Sequence, residues 1–558
     1  DKVAILTGDY KMTGSNRHKL DHADIIVVTS EMLDSQSRTA LRTDSHWLDN
    51  IGLVIMDESH IIGSGSRGPA AESGITRLCV VRKDTPPRIV LLSATLPNEE
   101  DFANWVFSLN NKDTYTLNSA WRPVPLKWNF YTCHGKYYSA IRKENVELAC
   151  KLVQKYKDDK FLVFVHEKKT GHNLVSALAK KGIKTEFHRA DATMQKRINL
   201  ETRFLDKNSD LRVLVSTSTL AYGNNLPARH VIVVGTSRGT TPVDIADIIQ
   251  MSGRAGRTGL DKVGDCHLLC QDLHTSKWAK LVQQQPPVKS ALLDDKHLRF
   301  QVLAEIDLGV LKYLDDLPAW FKKTLVGQQV EYPEEYFHMA IGKLAHMGML
   351  TIVDDNKLKV TDIGKVGTRF YFTPDDVYHW CKFAEKNKVI DTDTKLAGLI
   401  GGAPTLAIDY VPAEFKGTVT HFNKACREDG TVCNIPNIFT PYALWCHLRG
   451  DANDKPNLKF YINNITYDIE RIETALKALS KHIDITLPED MTVRIKHGVP
   501  KQLSFLVNIP GIGPKKAWLM YTAGITSRDH LADADRSLLI TCLGPKTADK
   551  VIEYIHKK

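Results

Sequence analysis

The sequence predicts a mixed architecture, α/β in its first half and all-α in its second. Three observations lead there. Short continuous apolar runs alternate with helical periodicity through the first 280 or so residues, the pattern of parallel strands buried on both faces. From about Gln283 the periodicity turns helical. Gly-Pro turns then punctuate the tail, residues 501–558.

Size and composition bound the rest. At about 150 residues to a domain, 558 residues suggest about four domains and several cores. Hydrophobic content of 43% with 25% charged residues is that of an ordinary globular protein. No apolar stretch approaches the roughly 18 residues of a membrane span, and no signal peptide opens at residue 1. The expectation is a soluble intracellular protein, in cytoplasm or nucleus according to the host. A net charge of +9 suits a polyanionic partner without identifying one. Cys426, Cys433, Cys446 and His447 lack the C-x-x-C pair of a zinc site. Free buried thiols in a reducing compartment are therefore expected of the ten cysteines.

The elements follow in order. Residues 1–120 carry strand patterns at Val3–Leu6, Ile25–Thr29, Leu53–Met56 and Ile89–Leu92, with helices near Ser30–Leu41 and Glu99–Phe107. The double-proline string from Trp121 to Leu126 reads as a linker into a second α/β domain, 121–282. Its strands are expected at Phe161–Val165, Thr185–Phe187, Val213–Ser216, Val231–Val234 and His267–Leu269, with helices such as His172–Lys180 and Met194–Phe204 between them. In residues 283–375, amphipathic stretches Glu305–Val326 and Tyr336–Met347 precede two short strands around Asp354-Asp355-Asn356, a winged-helix pattern. Residues 376–500 are mostly helical. Within them Tyr467–His482 sets Ile469, Ile472, Leu476 and Leu479 on one face.

Chemistry concentrates at a few strings. Asp57-Glu58 closes an apolar strand in VIMDESH, and carboxylates at the carboxyl end of a parallel strand face the ligand crevice. One can hold Mg²⁺ through water and the other can orient and deprotonate an attacking water. Far along the chain, Gln250 to Arg257 reads QMSGRAGR, and guanidinium groups three residues apart can neutralise a transferring phosphoryl group. Ser93-Ala94-Thr95 offers short hydroxyls after a strand, able to reach the carboxylates. In the tail, IPGIGPKKA sets Gly511 and Gly513 before a helix start. The backbone there can approach a phosphate, with Lys515 and Lys516 adding charge.

Together these strings resemble a superfamily 2 nucleic-acid helicase. Asp57, Glu58 and His60 match the DExH box, continued by Arg67-Gly68 and Glu72. Ser93 to Thr95 matches motif III, and Gln250, Arg254 and Arg257 match motif VI. The string from Ser216 to Ala228 resembles motif V, with Thr217, Thr219, Gly223 and Asn225 placed for backbone phosphates, and Thr29 in VVTSEML resembles motif Ib. Val165-His166 and His188 to Arg197 sit where motifs IV and IVa belong. The order of domains, Thr361-Asp362-Ile363-Gly364 with Phe370-Tyr371, and the closing pattern from Arg494 narrow the resemblance. It is to the ratchet-type archaeal DNA repair helicases and the helicase portion of DNA polymerase theta. It implies two RecA-like domains, a winged helix, a helical ratchet bundle and a helix-hairpin-helix domain. It also implies an ATP- and Mg²⁺-dependent, monomeric 3′-to-5′ DNA helicase acting in repair, replication or recombination. Tyr467 and Arg471 would touch bases from the ratchet helix.

This chain departs from the pattern in three places. No G-x-x-x-x-G-K-[ST] loop occurs in it, so the nucleotide-cradling segment is expected before Asp1, and the chain alone is expected to be inactive. The ratchet helix has no tryptophan. The strand-splitting hairpin expected at Thr236–Pro242 looks short. Two other readings stand beside the first. One is an RNA-remodelling ATPase of the same branch, against which the helix-hairpin-helix tail argues. The other is a nucleic-acid-binding scaffold with a degenerate motor.

Overall fold

A computed structural model describes residues 2–8, 14–39, 47–65, 67–94, 96–119, 121–189, 192–221, 226–239, 241–271, 274–433, 435–451 and 456–556. In the first domain, strands β1 (Val3–Leu6), β2 (Ile25–Val28), β3 (Leu53–Met56) and β4 (Arg88–Leu91) stand as two parallel pairs, β1 with β2 and β3 with β4. Helices α1 (Gly14–Asp21), α2 (Ser30–Ser37), α3 (Gly68–Val81) and α4 (Glu99–Asn110) connect them. Alternate strand residues such as Leu6 and Ile89 enter a core with Trp105, Phe102 and Leu78. Their neighbours Val3, Ile25, Leu53 and Ile55 are exposed on the opposite face. α3 approaches the turn before it so closely that a Cβ on Gly68 would lie 2.0 Å from the Ile62 carbonyl oxygen, and only glycine fits.

The second domain holds β5 (Leu126–Cys133), α5 (Tyr138–Lys155), β6 (Phe161–Val165), α6 (Lys168–Ala179), β7 (Thr185–His188), α7 (Met194–Leu205), β8 (Val213–Ser216) and β9 (His230–Val234). It continues with β10 (Ser237–Arg238), β11 (Thr241–Pro242), α8 (Ile245–Ser252), β12 (Gly264–Gln271) and α9 (Thr275–Leu281). Six strands make one sheet in the order β5-β12-β9-β6-β8-β7, with every pairing parallel. β6 and β9 are buried along their whole length, as their unbroken apolar runs require. The linker reading ends too late: Leu126 opens edge strand β5, whose mixed pattern LKWNFYTC hid it. β10 and β11 pair antiparallel with two residues each, so the hairpin before motif VI is short as expected.

The helical half begins with α10 (Asp295–Leu308). The stretch Glu305–Val326 is not one helix. Gly309, at φ 82, ends α10, and the chain restarts as α11 (Leu317–Phe321), with proline in its first turn, and α12 (Val326–Gln329). Then come α13 (Glu334–His346), the antiparallel pair β13 (Leu350–Val353) and β14 (Lys357–Val360), and α14 (Asp362–Phe370), completing the winged helix. α15 (Pro374–Lys386), α16 (Asp393–Gly401), α17 (Thr420–Glu428), α18 (Phe439–Leu448), α19 (Pro456–Leu479) and α20 (Met491–His497) follow. One continuous core runs from Leu292 to Ile495, so winged helix and helical bundle are packed as a unit across residue 375. α19 is longer than the periodicity around Tyr467 suggested. The tail is a separate small core formed by α21 (Ser504–Val507), α22 (Pro514–Thr522), α23 (Arg528–Ala532), α24 (Arg536–Leu543) and α25 (Pro545–His556). Among the described residues no helix is long and apolar enough to cross a membrane.

Candidate nucleotide and nucleic-acid site

The carboxylates of the DExH string lie where β3 ends. Asp57 is exposed, and its Oδ1 accepts the Glu58 backbone N–H at 2.9 Å. Glu58 adopts a left-handed conformation, φ 51 and ψ 47, which costs a non-glycine residue about 1–2 kcal/mol. The strain is matched by a contact from the other α/β domain: Gln250 Nε2 on α8 donates to Glu58 Oε2 at 2.8 Å. His60, nearly buried, sets Nδ1 3.4 Å from the same Glu58 oxygen and 3.1 Å from Ser93 Oγ. Ser93, His60, Glu58 and Gln250 thus form one polar chain joining the expected motifs III, II and VI.

The two arginines of QMSGRAGR are placed differently. Arg254 donates through Nη2 to the Ala221 carbonyl at 2.6 Å, tying α8 to the segment after β8. Burial lowers its pKa, while the Glu58 carboxylate acts the other way. Arg257 grips Asp261 through two parallel bonds, Nε–Oδ2 at 2.9 Å and Nη2–Oδ1 at 2.8 Å. That hydrogen bonding raises its pKa. Gly256 lies between them at φ 95, where a Cβ would also meet Val124 Cγ1 at 2.5 Å.

The residues present fit a magnesium–nucleotide pair. Among the described residues no group of three or more His, Cys, Asp or Glu could cage a metal. Mg²⁺ with phosphates needs only one or two carboxylates and keeps its waters, which Asp57 at an open strand end can supply.

The residues expected to meet nucleic acid divide in three. Thr29 leads into α2 with no side-chain cap, leaving its hydroxyl unused by the helix it precedes. Thr217 precedes the 3₁₀ turn Ser218–Leu220 in the same way. Tyr467 is exposed on α19, its hydroxyl 2.9 Å from the Gly8 carbonyl. Gly511 (φ 89) and Gly513 shape the turn before α22. There Lys515 is exposed, while Lys516 donates to Thr547 Oγ1 at 2.8 Å. Arg471, partly exposed, is engaged by the protein itself: its Nη1 donates to the Phe370 and Tyr371 carbonyls at 2.9 and 2.8 Å, and its Nη2 to Asp468 at 2.7 Å. Thr95, Gly223, Asn225 and the Thr219 side chain lie outside the described residues.

Near motif IV, His166 Nε2 meets the Gly235 carbonyl at 2.8 Å. At the motif IVa position His188 Nε2 bonds Glu201 at 2.9 Å, so both histidines brace the sheet.

Sequence reasoning missed a buried polar cluster behind motif Ib. Asp34 on α2 accepts from Arg38 at the end of its own helix and from Arg77, Gln301 and Tyr371, which reach it from three other parts of the chain. Although burial raises it, the two arginines hold its carboxyl down at about 2. Glu72, which continued the DExH pattern, is likewise structural. It is fully buried, accepts from Ser290 Oγ and from the Val326 N–H, and is raised by burial to about 7. Glu72 and Arg77, charges in the otherwise apolar helix α3, were the available signal, since such groups are buried only with partners.

Comparison with known proteins agrees with this arrangement. Residues 2–102 match the DEAD/DEAH box helicase family, residues 144–259 the helicase conserved C-terminal domain, and residues 503–557 the SAM-like helix-hairpin-helix tandem. The ATP-dependent DNA helicase Hel308 of Thermoplasma volcanium is 27% identical over 92% of this chain and 79% of its own length. The Hel308 proteins of Caldivirga maquilingensis and Pyrobaculum calidifontis are 27% and 29% identical, covering 100% and 99% of this chain and 83% and 85% of their own lengths. The chain carries matches to two helicase domains and a helix-hairpin-helix tandem, and it is homologous to the Hel308 DNA helicases over most of its length.

Proposed function

We propose that this chain is the motor body of an ATP-dependent DNA helicase that tracks 3′ to 5′ along single-stranded or forked DNA, as a monomer. The observation that carries the reading is the Glu58–Gln250 hydrogen bond. It closes the cleft between the two α/β domains at the carboxylate best placed to serve a hydrolytic water. Glu58 orients that water and takes its proton. Gln250 holds Glu58 in its left-handed turn and reports whether the cleft is shut. Arg254 and Arg257 neutralise charge on the transferring phosphoryl group. Asp57 would hold the Mg²⁺ of Mg²⁺–ATP, which would supply the phosphoryl group and screen its charge. Ser93 and His60 pass the state of the cleft back to the first domain. Closing and reopening of the cleft moves the strand.

On the nucleic-acid side, Thr29, Thr217, Thr219, Gly223 and Asn225 meet backbone phosphates, and Tyr467 meets a base from α19. Gly511, Gly513 and Lys515 hold the strand at the tail, with Lys516 supporting that turn. The tail favours DNA over RNA because helix-hairpin-helix elements grip the DNA backbone without reading sequence. The short β10–β11 hairpin favours translocation over forceful strand separation.

DNA-stimulated ATP hydrolysis by the protein that contains this chain is the test, with Glu58→Gln and Arg257→Ala beside it. Turnover that rises with single-stranded DNA and collapses in both variants supports the motor. A folded, DNA-binding protein without turnover overturns it and leaves a scaffold.

A further inference from the structure

The ratchet helix α19 is anchored to the first α/β domain by a route that involves neither nucleotide nor DNA. Its Arg471 clamps a turn of the winged helix: Nη1 reaches the carbonyls of Phe370 and Tyr371, and the guanidinium lies 4.1 Å from the Phe372 ring centre. The clamped turn is strained, for Tyr371 sits at φ 57 and is not glycine. That conformation aims the Tyr371 hydroxyl at Asp34 Oδ2, 2.7 Å away on α2. Asp34 is fully buried and pinned by Arg77 Nη1 at 2.6 Å and Arg38 Nη2 at 3.0 Å. Gln301 of α10 joins them, and Arg77 continues to Glu305 on the same helix at 2.8 Å.

Two features make this more than packing. First, α2 is the helix that Thr29 opens, so the cluster sits on the element that carries the motif Ib threonine. Second, the second α/β domain meets the same partners differently. It touches α19 through Lys168, 6.0 Å from the Phe460 ring centre, and the first domain through Gln250 on Glu58. The first joins two exposed side-chain tips, and the second is a single hydrogen bond between side-chain tips, with Gln250 buried and Glu58 partly exposed. Buried charges whose partners come from three elements resist separation, because parting them leaves an unpaired charge in the interior. Tip contacts open easily.

We propose that Tyr371 and Arg471 are positioning residues that lock α19 to the first α/β domain through Asp34, so that first domain, winged helix and α19 move as one body against the second domain. This rests on the helicase reading. On it, the motif Ib threonine and the base-touching face of α19 keep a fixed spacing along the strand, and the second domain alone steps. Arg471 then serves coupling and not base contact.

The test pairs Tyr371→Phe, which deletes one hydroxyl, with Arg471→Gln, which releases the turn from the other side. Each is compared with wild type for DNA-stimulated ATP turnover and for base pairs opened per ATP. Turnover should stay within about twofold while base pairs opened per ATP fall about fivefold or more, the size expected when a coupling element is loosened. Site-specific spin labels replacing Lys83 on the first domain, Lys207 on the second and Lys477 on α19 read the same claim directly. The Lys83–Lys477 distance should be narrow and the same with and without a non-hydrolysed ATP analogue on single-stranded DNA. It should broaden in Tyr371→Phe, whereas Lys83–Lys207 should change with nucleotide. Equal efficiency per ATP in both variants, or a Lys83–Lys477 distance that moves as much as Lys83–Lys207, overturns the proposal. Absence of turnover by the wild-type protein that contains this chain overturns the helicase reading instead. The width of the Lys83–Lys477 distribution needs no turnover and still decides the anchoring.

Discussion

Arg257 and Asp261 lie one helical turn apart with guanidinium and carboxylate face to face, joined by two bonds of 2.9 and 2.8 Å and a third from the Arg257 backbone N–H at 2.8 Å. The geometry is bidentate, the strongest form such a pair takes. If Arg257 is to meet a phosphate it must first leave this carboxylate. Asp261→Asn keeps the shape and removes the charge, so ATP should bind more tightly, with KM lowered severalfold and kcat little changed. Steady-state kinetics on single-stranded DNA checks this. An unchanged KM with a lowered melting temperature would make the pair purely structural.

Glu58 and Gln250 lead to a second expectation. Glu58→Gln removes the proton acceptor, and turnover should fall by about 10² or more, the range of positioned general bases. Gln250→Ala leaves that acceptor but frees Glu58 from its left-handed turn. Turnover should fall less, by about tenfold, the worth of a hydrogen bond to a charged group. Single-turnover hydrolysis with saturating DNA separates the two. Equal losses would mean that Gln250 acts on the chemistry itself.

Much of this was legible in the sequence because parallel strands buried on both faces write themselves as apolar runs. Phe161–Val165 and Val213–Ser216 needed no context. β5 was not legible, since an edge strand with one half-buried face carries Lys127 and Asn129 among its apolar residues. The expected helix over Glu305–Val326 failed because amphipathic spacing continued past Gly309, where backbone conformation and not periodicity ended it. Within the site, the motifs pointed to Glu58 and Gln250, but the bonds of Arg471 to the Phe370 and Tyr371 carbonyls were not legible. A guanidinium on a helix face reads the same whether it meets a base or two carbonyls 100 residues away.

The second domain contains a proton-sensitive chain that the motifs do not touch. Tyr131 O–H, His267, His230 and Asp159 follow one another at 3.2, 3.1 and 3.0 Å. With Asp159 ionised, His230 donates from Nε2, His267 donates to His230 Nδ1, and Tyr131 donates to His267 Nδ1, so both imidazoles are neutral. Burial, then the neighbouring His230, lowers His267 from 6.5 to about 4. Because the folded value lies below the unfolded one, the unfolded chain binds more protons between these limits. Stability is therefore full above pH 6.5 and is lost as pH falls toward 4, by up to about 3 kcal/mol. Thermal unfolding from pH 7.5 to 4.5 should show this slope, and His267→Gln should flatten it. A slope unchanged in the variant would assign the acid sensitivity elsewhere.

The two lysines of the tail should part company. Lys515 is exposed in the first turn of α22, beside the Gly511–Gly513 turn, whereas Lys516 spends its ammonium on Thr547 Oγ1 in α25. A lysine that neutralises one phosphate of a single strand contributes about 0.7 to the slope of log K against log salt. Lys515→Ala should weaken single-stranded DNA binding, lower that slope by about this amount, and leave the melting temperature unchanged. Lys516→Ala removes the bond between the two hairpins of the tail and should lower stability by about 1 kcal/mol. Its salt slope should move less than that of Lys515→Ala. Titrations of a fluorescent oligonucleotide at several salt concentrations, with melting curves for both variants, read both effects. If Lys516→Ala changes the slope and Lys515→Ala does not, the strand passes on the Thr547 side of the turn.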